Sequence, residues 1–571
     1  MQYYVLFKTG SLENKQEMLD KHLASIRKKF KTLLTQRRCF FPLLGACSLV
    51  LVLTTPIKAA ERIYFNYGPL DFSISVESLE TFAKEGKVEP ELALIVDRLN
   101  SEQKAQLRDL LKSRYQFSPV LMSRFFYSSF GERLLTYLGE LIQLQGGQNG
   151  LYGIRSALIL STADSDGLSL INFMRKFPTD IRLNTKRIMQ QFQQVSALRE
   201  ETNALVAELE KTSTQVKSGE TSIDFSQLPN LQEPGKFSYS QKVKRLRDSS
   251  RQREFIVNLY LPDVPNGEKI PVVVISNGIG TKIDRYDYLA QHLASHGFAV
   301  AIPQHPDSDD IQRQDFFQGL SSQMFQSTAY INRPLDVSYM LDELERLNST
   351  EFKGQLNLQQ VGLFGNSFGG DTALALAGAQ MDFANLKQDC NPEKNLVKLS
   401  LLVQCQALEI PEKNYDFRDK RIKAVSVLFP GSSSLYGKSG LSKINIPVLW
   451  GAVTEDIFSP LLLEQAPAFS WLKTKDKYLV VASKIDHLYL DFSALSNLET
   501  PDENVADNVS LQEPEVAKSY LKALNLAFFR LYLANDSNYR PFLSASYAQE
   551  ISQDPYNLIL LNSLGKLYSS K

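Results

Sequence analysis

The segment Leu363-Phe364-Gly365-Asn366-Ser367-Phe368-Gly369-Gly370 constrains this chain more than any other. An apolar run, Val361 to Phe364, precedes it, and Thr372-Ala-Leu-Ala-Leu-Ala-Gly follows with the pattern of a packed helix. A G-x-S-x-G between strand and helix puts the serine on a turn too sharp for ordinary backbone angles, so its neighbours must lack side chains. Such a turn lifts Ser367 Oγ clear of the sheet, beside a helix N-terminus and the Phe368 N–H, where a developing oxyanion is stabilised. The same pattern also occurs as a glycine-rich turn that merely packs a helix on a strand. The rest of the chain has to decide.

The 571 residues are too many for one core, so at least two domains are expected. Residues 61–211 read as an all-α N-terminal domain. Ser75 and Ser101 look like helix caps, residues 125–144 are amphipathic and aromatic-rich, and Ile181, Ile188, Val195, Thr202 and Leu209 recur every seven residues as if on one long helix. Residues 212–236 are polar, with Pro229 and Pro234, and read as a linker. From 237 to 571 the period changes. Short apolar strands at 255–261, 271–276, 298–302, 423–429, 446–450 and 478–482 alternate with helical segments at 284–296, 335–347 and 516–533. That alternation predicts an α/β fold with a doubly wound, mainly parallel sheet, whose ligands sit beyond the carboxyl ends of the strands. Insertions near 309–330 and 381–419 are expected to shape a pocket. The first carries Phe316, Phe317, Met324 and Phe325, which suit an apolar acyl chain or, equally, simple loop packing.

Lys+Arg and Asp+Glu both number 63, so no global charge favours nucleic acid, and none is expected as a partner. The N-terminus is distinctive. Basic residues from Lys21 to Arg38 lead into the apolar stretch 39–55 and then Ala59-Ala60, the order of a secretory signal. Residues 1–60 are therefore read as a signal peptide, with translation starting at Met1 or Met18, or as an uncleaved membrane anchor, since Lys58 suits a cleavage site poorly. Leu44-Gly-Ala-Cys47 mimics a lipoprotein box, but its apolar stretch follows the cysteine instead of preceding it. An extracytoplasmic protein, with membrane association through residues 39–55 as one form of it, is the expectation. Removal of the leader with Cys39 and Cys47 leaves Cys390 and Cys405, which an oxidising compartment would join, unless both stay buried thiols.

A serine at an elbow needs a base, and the base an orienting carboxylate. Of the five histidines, only His487 follows Ser367, and it comes just past the strand ending at Ala482. The acid is expected in Ala452-Val-Thr-Glu-Asp-Ile-Phe, with Asp456 favoured and Glu455 its rival; Asp486, adjoining His487, reads as a solvated loop residue. The oxyanion hole needs a second N–H besides that of Phe368. Asn277-Gly-Ile-Gly follows a strand, which makes Ile279 the expected donor and Gly278 the turn residue. One such donor contributes about 2.7–4 kcal/mol to transition-state stabilisation.

Asn277-Gly-Ile-Gly, Tyr288-Leu-Ala-x-x-Leu-Ala-Ser-His-Gly-Phe-Ala-Val-Ala and Gly365-Asn-Ser-Phe-Gly-Gly, with Asp491-Phe492 behind His487, resemble the α/β-hydrolases of the platelet-activating-factor acetylhydrolase and polyester-hydrolase-like group. The resemblance runs from about Phe255 to Phe492, and the N-terminal part is similar to a helical domain of unknown function found ahead of such enzymes in exported bacterial proteins. It implies hydrolysis of acyl esters, often short or oxidised chains on lipids, with no metal or organic cofactor. Asn277 and Asn366 stand where that group usually carries histidine. The resemblance and the residues thus point to an exported carboxylic ester hydrolase acting through Ser367, Asp456 and His487. The reading from another class is a non-catalytic envelope binding or scaffold protein with a degenerate hydrolase domain. Dienelactone hydrolases want cysteine at the elbow and dehalogenases aspartate, so Ser367 argues against both.

Overall fold

The computed structural model describes residues 59–220, 223–265, 267–391, 397–485 and 514–564. The leader, with Met18, Cys39 and Cys47, lies outside them, as do Asp486, His487, Asp491 and Phe492. From Ala59 onward the chain clusters as one compact unit. Among the described residues, no helix is long and apolar enough to cross a membrane.

The N-terminal module is not all-α. It holds a four-stranded sheet of β1 (Arg62–Tyr67), β2 (Leu70–Ser75), β3 (Ile142–Leu144) and β4 (Ile181–Leu183) in the order β2-β1-β4-β3. β1 and β2 form a hairpin, paired from Arg62–Ser75 to Tyr67–Leu70, that turns at Gly68, whose φ is +59°. β3 and β4 have three residues each, too few to show a period of two. Helices pack on this sheet over Ala60, Leu135, Ile154, Ala157, Phe177 and Ile181. Ser75 caps the helix Val76–Glu85 as expected, accepting from the Ser78 N–H at 3.1 Å. The next helix is capped by Asn100 and not by Ser101, because Asn100 and Gln103 form a reciprocal capping box.

Ile181 belongs to β4, and the long helix runs from Thr185 to Gly219. The polar residues 213–219, read from the sequence as linker, are an exposed helical face. This helix does not stop at its own module. Leu205 and Leu209 are buried in the core of the C-terminal domain, and Glu220 accepts hydrogen bonds from the backbone N–H of Ala545 and Ser546, at 3.1 and 3.0 Å.

The C-terminal domain is built on a nine-stranded sheet. Its strands are β5 (Tyr239–Asp248), β6 (Arg253–Pro262), β7 (Ile270–Ser276), β8 (Ala299–Pro303), β9 (Leu356–Asn366), β10 (Ile422–Leu428), β11 (Val448–Val453), β12 (Lys477–Ala482) and β13 (Leu558–Leu561), in the order β13-β12-β11-β10-β9-β7-β8-β6-β5. From β8 through β7 and β9 to β12 every pairing is parallel, and the outer pairs are antiparallel. The central strands read as unbroken apolar runs because helices cover both faces, one over Val272, Val274 and Leu363 and the other over Val273, Ile275 and Phe364. This is the α/β fold that the alternation predicts. The chain runs from β7 outward to β8, then returns across β7 to β9 and continues through β10 on the other side. The strand order therefore reverses between β7 and β9, and beyond the carboxyl ends of such a pair is where sheets of this kind bind ligands.

Candidate active site

Ser367 follows β9 with φ +52° and ψ −121°, and the helix Phe368–Ala377 begins at the next residue. Its N–H donates to the Leu428 carbonyl on β10 at 2.7 Å, and its own carbonyl accepts from Gly370 N–H at 2.8 Å. The two motif glycines are there for clearance. A Cβ on Gly365 would collide with the Gly369 carbonyl, and one on Gly369 with the Ser276 carbonyl of β7. The serine is half-buried, in backbone geometry that non-glycine residues rarely adopt.

The loop after β7 lies against it. A Cβ built on Gly278 would stand 3.1 Å from Asn366 Oδ1 and 3.5 Å from Ser367 Cβ, so the glycine lets this loop lie close against the elbow. Asn277 Nδ2 donates to the carbonyls of Lys282 and Ile283, both at 3.0 Å, and Thr281 Oγ1 donates to the Gly278 carbonyl at 3.1 Å. Gly280 N–H donates to the Ser308 carbonyl at 2.7 Å. The Ile279 N–H has no acceptor among the described residues. Phe368 opens its helix, where the first N–H groups have no intrahelical acceptor.

Asp456 comes three residues after β11 and is 5% exposed. Its Oδ1 accepts from the Phe458 and Ser459 N–H groups at 2.8 and 2.7 Å, which fixes the carboxylate. Glu455 instead pairs with Lys484 at 3.2 Å, its side chain half exposed. The loops after β11 and β12 are stitched together, since Thr454 N–H donates to the Ala482 carbonyl at 3.1 Å and Lys484 N–H to Thr454 Oγ1 at 3.2 Å. The Asp456 loop therefore borders the segment that leads, two residues past buried Ile485, to His487.

Around the elbow, Phe368 meets the ring edges of Tyr330 and Phe325, with centroids 4.7 and 5.5 Å away. Phe316 and Phe325 are buried, so those two aromatics of the first insertion pack against the domain. Tyr330 OH donates to the Val403 carbonyl at 3.0 Å, linking the first insertion to the second. Cys390 and Cys405 are joined by a disulfide, the pairing expected from the cysteine count.

Sequence reasoning missed a buried polar group behind the end of β7. His305, two residues past β8, shares a hydrogen bond of 3.0 Å between Nε2 and Ser276 Oγ. Burial, with Arg333 and Arg253 nearby, holds its imidazole well below the usual histidine range, so it is neutral. Arg333 is itself buried, and burial pushes its guanidinium down to about 9. Asp371, one helical turn past Ser367, is buried and held well above the usual carboxylate range, chiefly by burial and then by Glu464. The sequence signal for these residues is weak. Arg333 sits on the helix Ala329–Glu351, and nothing in Ile331-Asn-Arg-Pro-Leu says that its side chain turns inward.

Two family models match this chain. Residues 59–184 match one described as an alpha/beta hydrolase of unknown function (DUF1400), over the N-terminal module. Residues 257–332 match platelet-activating factor acetylhydrolase, isoform II, from β6 through the loop after β7 to the start of the Arg333 helix. No curated protein matches the chain. Together with the doubly wound sheet, these two partial matches support an α/β-hydrolase of the platelet-activating-factor-acetylhydrolase-like group.

Proposed function

We propose that this hydrolase cleaves carboxylic esters through an acyl-enzyme, with Ser367 as nucleophile, His487 as general base and acid, and Asp456 as the carboxylate that orients it. The observation that carries this reading is the serine at positive φ, directly after the central strand and against Gly278. A serine is held in that geometry at a cost of order 1–3 kcal/mol, which a purely structural turn does not require. In the proposed reaction, His487 takes the Ser367 proton as Oγ attacks the ester carbonyl. The tetrahedral oxyanion accepts from the Ile279 and Phe368 N–H groups, and His487 then protonates the leaving alkoxide. Water repeats the sequence on the acyl-enzyme. Two fixed backbone bonds to Asp456 Oδ1 support its orienting role.

The substrate class we propose is a lipid-derived ester with a short acyl chain, of the platelet-activating-factor kind. The match over residues 257–332 and the apolar rings of Phe325, Tyr330 and Phe368 beside the nucleophile support it. The proposed place of action is outside the cytoplasm, where the Cys390–Cys405 bond would persist. Labelling with a fluorophosphonate tests the central claim. The wild type should be labelled at Ser367 with loss of p-nitrophenyl ester hydrolysis, and Ser367→Ala should be inert to the reagent. Labelling elsewhere, or none in an active protein, overturns it.

A further inference from the structure

Arg333 has 1% of its surface exposed. Through Nη2 it donates to the Asn277 carbonyl and, at 3.3 Å, to Ser276 Oγ; through Nη1 it donates to Ser308 Oγ at 3.2 Å. Its Cζ also stands 4.7 Å from the centroid of the Phe368 ring. One buried cation therefore touches the residue before Gly278 and the residue after Ser367. Desolvating a guanidinium is costly, and the carboxylates of Asp371, Asp336, Asp309 and Asp307 favour its charge without carrying those bonds themselves.

The peptide geometry shows what the bonds accomplish. Gly278 has no side chain to restrict it, so its two flanking peptide planes must be held from outside. Arg333 holds the Asn277 carbonyl, which fixes the plane before Gly278. Thr281 holds the Gly278 carbonyl, and because the peptide is planar and trans, this aims the Ile279 N–H in the opposite direction. The guanidinium also lies against the ring of Phe368, the residue whose N–H is the other proposed donor.

We infer that Arg333 is a positioning residue of the oxyanion hole, which grips the 277–278 peptide and the Phe368 ring so that the Ile279 and Phe368 N–H groups converge on one oxygen before substrate arrives. The inference rests on the proposed nucleophile and donors. Preorganised donors act on charge that develops in the transition state and do little for ground-state binding. Loss of the grip therefore lowers kcat and leaves KM nearly unchanged.

The test uses the full-length protein, with active sites counted by fluorophosphonate so that misfolded molecules drop out of the rate. Arg333→Met should reduce kcat per labelled site by about 10²-fold, the scale of a displacement of about 1 Å at a reacting centre. KM should hold, and affinity for a trifluoromethyl ketone, which forms a tetrahedral adduct, should fall in parallel with kcat. Arg333→Lys, which keeps the charge and one donor, should recover part of the loss. Where Arg333→Met does not fold, Ser308→Ala removes one bond of the grip and should lower kcat several-fold at constant KM. Wild-type kcat per labelled site in Arg333→Met, or in Ser308→Ala where that variant decides, overturns the inference. So does a loss confined to KM. A wild type that fluorophosphonate does not label at Ser367 would instead overturn the proposed nucleophile, and the two failures are distinct.

Discussion

Gln323 donates through its side-chain amide to Ser129 Oγ at 2.8 Å, joining the insertion beside the elbow to the N-terminal module. Two more bonds are donated from the module to the insertions. Arg124 donates to the Phe317 carbonyl, and Arg133 to the carbonyl of Cys405 at 3.4 Å. The helices Pro119–Tyr127 and Ser129–Leu141 thus hold both insertions, the first of which packs on Phe368. If the module selects substrates, the doubly substituted Arg124→Ala/Arg133→Ala protein should keep activity on p-nitrophenyl acetate and change its preference among longer acyl chains. An unaltered chain-length profile in a folded protein would exclude that role. Removing everything before about residue 235 is a poorer test. It strips Leu205, Leu209 and the Glu220 cap from the C-terminal domain, and that protein should lose stability outright.

The proposed triad predicts non-additive losses. Ser367→Ala and His487→Ala should each remove nearly all ester hydrolysis, and the double variant should be no worse, because the residues act as a unit. Asp456→Asn should lower kcat by orders of magnitude while Glu455→Gln should have little effect, since Glu455 engages Lys484 and not the buried loop. Full activity in folded His487→Ala would sink the proposed base.

Much of this was legible in the sequence for a physical reason. The elbow glycines, the apolar runs of β7 and β9 and the loop Asn277-Gly-Ile-Gly are demanded by local geometry, and local geometry writes itself into neighbouring residues. The strands β1 to β4 were not legible, because two strands of three residues carry no period and the hairpin was absorbed into a helical reading that starts correctly at Ser75. The continuation of the long helix to Gly219 was hidden by its polar exposed face. Arg333 is a different case. Its role depends on Ser276, Asn277, Ser308 and Phe368, which come together only when β7, β8 and β9 pair.

The disulfide gives a stability prediction. Cys390 and Cys405 lie 15 residues apart, and closing such a loop restricts the unfolded chain by about 3 kcal/mol. Cys390→Ala/Cys405→Ala should lower unfolding free energy by about that amount. Non-reduced peptide mapping of the wild type should recover the two cysteines in one linked fragment. Because Cys405 also accepts from Arg133 and its neighbour Val403 from Tyr330, the variant should shift acyl-chain preference in the same direction as Arg124→Ala/Arg133→Ala. Equal stability with and without reductant would refute the contribution of the bridge.

The last prediction concerns acid. His292 is 4% exposed on the helix Asp287–Ser295, its ring 4.8 Å from that of His296. Burial, then the nearby His296 and Lys522, pushes its imidazole down to about 3, so the folded protein holds it neutral. In the unfolded chain it titrates near 6.5. Between those two values the unfolded state binds more protons than the folded one, so stability rises with pH, and it is lost as pH falls below about 6.5. One such group contributes a slope of up to about 1.4 kcal/mol per pH unit. Asp371, which burial holds well above the usual carboxylate range, acts with the opposite sign; contributions that do not involve His292 cancel in the difference between wild type and a single variant. In urea unfolding from pH 7 to pH 4, His292→Leu should therefore lose less stability than the wild type, the gap between them changing by about 1.4 kcal/mol per pH unit below pH 6. Parallel stability curves for the two proteins would show that His292 is charged in the folded state.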